Sequence, residues 1–286
     1  MEYNLSKYNN PIIIIYGGTF SPFTMYNLKI AEDVTKEIYD KHKGLRNIVF
    51  YFVPTHSNYK SSNIKNNYIG GNSKVERINM LEIVCKHLNV KKGIYYKVST
   101  NEINANKPID TYDSIIDIQK HIMKNNKIVV NNDIQVILIE RHVKEILNGK
   151  WANPLSLLSK NIIMVSSQHT QLNIHLFEKE INILKMKENE KNIKNKEYLN
   201  LLSSNKKYLL SKINIFNFTK EILIFTPSNT YDKLQDYYNA IANVGELNKY
   251  IIPELCKYII KNNLYKKHNK SVKNIKTKQN TKKKYK

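Results

Sequence analysis

The stretch IIIIYGGTFSPFTMYNLKIAE, from Ile12 to Glu32, constrains this chain more than any other. An unbroken apolar run bounded by a turn signal reads as a strand buried on both faces, the pattern of a parallel sheet covered by helices. The run ends at Gly17 and Gly18, and helical spacing begins at Thr24. Strand, glycine turn and helix together open a βαβ unit.

Similar runs recur at Ile48 to Val53, Gln135 to Ile139, Ile162 to Val165 and Ile222 to Phe225. Helical spacing marks Thr24 to His42, Lys74 to His87, Thr111 to Lys124 and Pro253 to Asn262. This alternation implies right-handed crossovers and an α/β fold, a Rossmann-like doubly wound parallel sheet with a helical C-terminal portion. Its limits fall at residues 11–265, after a short N-terminal extension of residues 1–10. From 172 to 220 the chain turns charged and asparagine-rich, as in KMKENEKNIKNKEYLNLLSSNKK, and reads as a low-complexity insertion with no evident packed face. Residues 266–286 read as a disordered, lysine-rich tail, and no motif recurs at a fixed spacing.

Composition narrows the class. The 286 residues suffice for a sizeable core. Cys85 and Cys256 stand far apart, in neither disulfide-framework nor metal-ligand spacing, so a reduced compartment is expected and a zinc site is not. His56, His142 and His169 have no ligand spacing either. No apolar run approaches the roughly 20 residues that cross a bilayer, so no membrane partner is expected. The formal net charge of +22 suggests a polyanion, yet ten of the lysines lie between Lys266 and Lys286 without one acid. Elsewhere the many lysines and asparagines, whose codons are A-rich, are what an AT-rich coding sequence also produces and are discounted. Two readings of the tail stand: a solvated extension, or a basic segment that binds a polyanion weakly or acts as a nuclear address through KKKYK. Localisation is accordingly expected to be cytoplasmic, or nuclear if the tail is read as an address.

In a doubly wound sheet ligands bind beyond the carboxyl ends of the strands. Gly17 and Gly18 stand there, permitting a tight turn and close backbone approach to a phosphate, while the next helix offers free N–H donors. A purely structural turn would use the same residues. The wider pattern GGTFSPFTMYNL resembles the nucleotidyltransferase signature, GGTFDPxHxGHL or GSFNPxTxxHL, through Gly17, Gly18, Thr19, Phe20, Pro22 and Leu28. Further motifs, in order, resemble the nicotinate/nicotinamide mononucleotide adenylyltransferase family. VPTHSNYKSS retains Pro54 and Lys60, SKVERINMLEIV retains Arg77, Met80, Leu81 and Glu82, and IDTYDSI retains Thr111, Asp113 and Ser114. The ending LNKYIIPELCKYIIKNNLY matches at Tyr250, Pro253, Tyr258, Ile259, Leu264 and Tyr265.

The resemblance implies adenylyl transfer from ATP to nicotinate or nicotinamide mononucleotide, forming the dinucleotide and pyrophosphate in NAD biosynthesis. Mg²⁺ would enter with ATP, bridging its phosphates. Catalytic contacts would come from Thr24 and Asn27, and ATP phosphate contacts from Gly17, Gly18, Thr19 and Phe20. Within FTPSNTYDKL, Ser228, Asn229, Thr230 and Lys233 would add further phosphate contacts. Lys60, Arg77, Thr111 and Trp151 would contact the mononucleotide.

The chain also departs from the family pattern. Asn27 replaces a histidine, giving a neutral hydrogen bond about half as strong as a charge-assisted one. Glu140, Arg141 and His142 occupy the usual Gly-Ala-Asp region, Ser166, Ser167 and Gln168 stand where a basic residue is usual, and Asp232 precedes Lys233 in place of an apolar residue and arginine. Ser, Asn and Thr at a helix start also fit an N-cap, and a lone Trp also fits a core. Two expectations therefore stand together: an active transferase with a divergent site, and a catalytically impaired relative that keeps the fold for nucleotide binding or interaction. Nicotinate or nicotinamide preference and oligomeric state stay open at this level.

Overall fold

The computed structural model describes residues 10–56, 73–125, 134–147, 151–166, 211–217 and 227–266, together with Leu5, Tyr8, Leu201, Ser204 and Tyr208. The strands are β1 (Ile12–Gly18), β2 (Ile48–Pro54), β3 (Ile94–Val98), β4 (Ile134–Ile139), β5 (Asn161–Ser166) and β6 (Ile213–Asn217). All pairings are parallel, in the order β3-β2-β1-β4-β5-β6. The helices are α1 (Met25–Lys41), α2 (Lys74–Leu88), α3 (Asn101–Asn104), α4 (Thr111–Asn125), α5 (Glu140–Leu147), α6 (Pro154–Leu158), α7 (Pro227–Tyr238), α8 (Val244–Leu247) and α9 (Pro253–Lys261).

The isoleucine run has a simple physical cause. Successive strand side chains point to opposite faces, so Ile12, Ile14 and Tyr16 join a core with α1, α2, α7 and α9, while Ile13 and Ile15 join a second with α4, α5 and α6. All four isoleucines are at most 2% exposed. Each contributes about 1.5–3 kcal/mol by leaving water. From the N-terminal extension, Leu5 and Tyr8 pack on the second face, the Tyr8 ring 4.5 Å from that of Tyr95.

Two strands lie outside the sequence expectation. β3 (IYYKV) and β6 (INIFN) form the two edges of the sheet, where a continuous apolar run is not required, and β3 is only partly buried. β6 falls within residues 172–220, so that segment is not an insertion throughout: its end pairs with β5. The strand expected at Ile222–Phe225, most of the proposed insertion and the tail from 267 onward lie outside the described residues.

This order places a topological switch beside β1. The chain moves outward to β2 and β3 on one side, then returns to β4 and continues to β5 and β6 on the other. A doubly wound sheet takes its ligands in the crevice at such a point, which here lies beyond the carboxyl ends of β1 and β4. Among the described residues no helix is long and apolar enough to cross a membrane.

Candidate active site

The two glycines at the end of β1 have different reasons to be glycine. A β-carbon on Gly18 would lie 3.0 Å from the Phe20 ring and would crowd the turn. A β-carbon on Gly17 would meet nothing within 4 Å, and Gly17 is not in the left-handed region. The fold therefore does not demand glycine at 17. Its effect is to leave an exposed strand end bare at the mouth of the crevice.

Beyond them the turn is tightly held. Phe20 has a φ of 46°, a conformation that disfavours a bulky residue, and its ring is fixed 5.4 Å from Tyr16, 5.6 Å from Phe52 and 5.7 Å from Phe23. The Gly18 carbonyl accepts the Thr55 N–H at 3.0 Å. Arg77, only 1% exposed, donates Nη1 to the Thr19 carbonyl at 3.0 Å and Nη2 to the Thr55 carbonyl. The resemblance cast Arg77 as a mononucleotide contact. In the structure its two donated bonds tie the ends of β1 and β2 together.

At the start of α1, Thr24 is the N-cap and Asn27 the third helical residue. Asn27 Oδ1 accepts the Thr24 N–H at 3.2 Å and its hydroxyl at 3.1 Å, while Asn27 Nδ2 donates to the Tyr16 hydroxyl at 3.0 Å. The Met25 N–H donates to the Tyr250 carbonyl at 2.8 Å. The position usually held by histidine thus secures the helix end, and Thr24 itself is 1% exposed. Burial, with Tyr26 nearby, pushes the Tyr16 phenol well above the usual tyrosine range against the pull of Asn27, so it stays protonated. Sequence reading passed over Tyr16. Its spacing of two from Ile14 was the available signal, because it places the ring on the α1 face.

The closing motif supports the same turn. Tyr265 is 0% exposed and its hydroxyl lies 3.1 Å from Ser21 Oγ. Tyr231 donates to the Ser21 carbonyl at 2.6 Å, and Gln235 Nε2 donates to the Tyr265 carbonyl at 2.7 Å. α7 begins at Pro227, so Ser228, Asn229 and Thr230 lie in its first turn and not at an N-cap before it. Thr230 is buried while Ser228 and Asn229 are exposed. Asp232 is exposed as well, and Lys233 Nζ lies 3.0 Å from Asp236.

Across the switch point the residues that replace Gly-Ala-Asp open α5. Glu140 pairs with Lys144 at 2.7 Å, and Arg141 Nε lies 3.8 Å from Glu145 Oε1. The His142 ring is 5.1 Å from Trp151, whose Nε1 donates to Glu145 Oε2 at 3.1 Å. Burial, with the Arg141 charge, pulls His142 down to about 4. Trp151 is half-buried against the second core, so it both packs and retains an open part. Thr111 opens α4, half-buried. Lys60, Ser167, Gln168 and His169 lie outside the described residues.

No protein-family model matches the chain, and no curated protein matches it. Among solved structures it resembles the Plasmodium falciparum nicotinic acid mononucleotide adenylyltransferase complexed with APC. The likeness covers 88% of this chain and 96% of that one, at 19% identity and a TM-score of 0.50. At that identity the likeness shows the fold: the six-stranded parallel sheet with its helices is built as in that nucleotidyltransferase.

Proposed function

We propose that this chain transfers an adenylyl group from ATP to nicotinate or nicotinamide mononucleotide. The carrying observation is Gly17: it leaves the strand bare where the fold has no need of glycine, at the switch point of the sheet. Close approach of a ligand phosphate to the backbone accounts for it. The order of the sequence motifs and the likeness to an adenylyltransferase support the same reading.

In this reaction a phosphate oxygen of the mononucleotide attacks the α-phosphorus of ATP, and the bond to pyrophosphate breaks. Positioning and stabilisation of charge carry such a step, and no protein nucleophile is needed. The turn from Gly17 to Phe20 offers backbone donors, and Ser228 and Asn229 offer exposed side chains on the first turn of α7. Asn27 keeps one amide hydrogen beyond the one given to Tyr16, which it can donate to phosphate. Lys60, Thr111 and Trp151 are assigned to the mononucleotide. Mg²⁺ would enter with ATP and neutralise charge on its phosphates.

A second reading is favoured by one observation. Asn27 and Thr24 satisfy each other and Tyr16, which suits a module that binds nucleotide without turning it over. The full chain with ATP, Mg²⁺ and each mononucleotide separates the two. Pyrophosphate release above a no-enzyme control supports transfer. ATP binding without release favours the module, and Asn27→His should then fail to restore turnover. Neither binding nor release from folded protein overturns both.

A further inference from the structure

A crevice that receives a triphosphate is favoured by a cation at its lip, and a guanidinium suits phosphate well because its planar fork donates two parallel hydrogen bonds. The cations that the resemblance points to do not fill this place among the described residues. Arg77 is buried and donates to the Thr19 and Thr55 carbonyls. Lys233, paired with Asp236 at 3.0 Å, offers an ammonium without the fork, and Lys60 lies outside the described residues.

We infer that Arg141 is the side chain that meets the phosphate chain of the nucleotide. This rests on the adenylyl-transfer reading of the crevice and assigns a specificity-determining residue within it. The register supplies the position: Tyr16 of β1 pairs with Ile137 of β4, so both strands end two residues later, at Gly18 and Ile139. Arg141 follows two residues beyond, on the first turn of α5. The Arg141 charge opposes the burial that raises the Tyr26 phenol on the first turn of α1, so the two side chains share this end of the sheet.

The surrounding groups leave it available. The Arg141 side chain is 73% exposed, and its contact with Glu145 runs through Nε at 3.8 Å, too long for a hydrogen bond. Of the two nearest acids in sequence, Glu140 is held by Lys144 at 2.7 Å and Glu145 accepts from Trp151 at 3.1 Å. A phosphate therefore has no strong partner of Arg141 to displace.

The test compares ATP with adenosine, which lacks the phosphates, by calorimetry on the folded full chain. Arg141→Ala should weaken ATP about tenfold to a hundredfold and leave adenosine within about twofold, since the lost bond is charge-assisted and reaches phosphate alone. Arg141→Lys should recover only part, because an ammonium lacks the fork. Arg46→Ala should bind both ligands as the native chain does; Arg46 donates to the Asn10 carbonyl at 2.8 Å, beside the amino end of β1. Native ATP affinity in Arg141→Ala overturns the inference while the reading of the crevice stands, as does an equal loss for ATP and adenosine. A native chain that binds neither ligand overturns both.

Discussion

The two sides of the crevice use their polar residues differently. On the β1–β2 side, Arg77, Asn27, Tyr16, Ser21 and Tyr265 form a part-buried to buried set of hydrogen bonds to backbone groups of the turn and the helix start and to one another. On the β4 side, Glu140, Arg141, Lys144 and Glu145 make exposed or half-exposed contacts along one helix. On the proposed function, the difference separates positioning from recognition. A buried network fixes a backbone shape at high cost if broken, whereas helix-surface pairs contribute about 0.3–0.5 kcal/mol and are easily exchanged for a ligand.

The sharpest way to break this comparison is Arg77→Leu. It strands the Thr19 and Thr55 carbonyls and should cost about 3 kcal/mol in urea denaturation. Lys144→Ala on the other side should cost under about 0.5 kcal/mol. Equal losses would remove the distinction.

The sides should also titrate with opposite sign. His142 falls from its ordinary 6.5 to about 4, so the unfolded chain binds more protons in that window and stability drops as pH falls through it. Glu102, 5% exposed, rises from 4.5 to about 7, mainly through burial and against Ser114, the His56 N–H and Arg77. Its contribution is complete below about 4.5 and is lost as pH rises to about 7. Each effect amounts to about 3 kcal/mol across its window. Thermal melts from acid to neutral pH should show His142→Gln and Glu102→Gln flattening opposite slopes. Slopes of one sign would contradict the account.

The paired glycines give a smaller effect. Gly17→Val should keep native stability, since no atom lies within 4 Å of the new β-carbon, yet weaken ATP about tenfold by filling the approach to the strand end. Gly18→Val should instead destabilise the turn through the 3.0 Å contact with Phe20. Smallest is Tyr265→Phe, which loses the hydroxyl contact to Ser21 and should cost about 1 kcal/mol in the same denaturation measurement.

How much of this was legible depended on burial. Central strands such as Ile12–Gly18 and Ile48–Pro54 are covered on both faces, so their sequences are apolar at nearly every position. The edge strands β3 and β6 escape that demand and were missed. In α2, Arg77 stands at helical spacing from Met80, Leu81 and Val84, all fully buried. That pattern marked Arg77 as core-facing, although an arginine reads first as a surface charge. The Asn27 cap was partly legible too, as Thr24 and Asn27 hold the first and last places of a capping box. The Ser21–Tyr265 contact joins residues 244 positions apart, and no local pattern encodes it.

Pyrophosphate release from ATP by the full chain, measured with each mononucleotide and Mg²⁺, tests the central claim most directly. The account predicts release that requires both ATP and a mononucleotide and that falls sharply in Gly17→Val at unchanged stability. A folded chain that neither releases pyrophosphate nor binds ATP would contradict it.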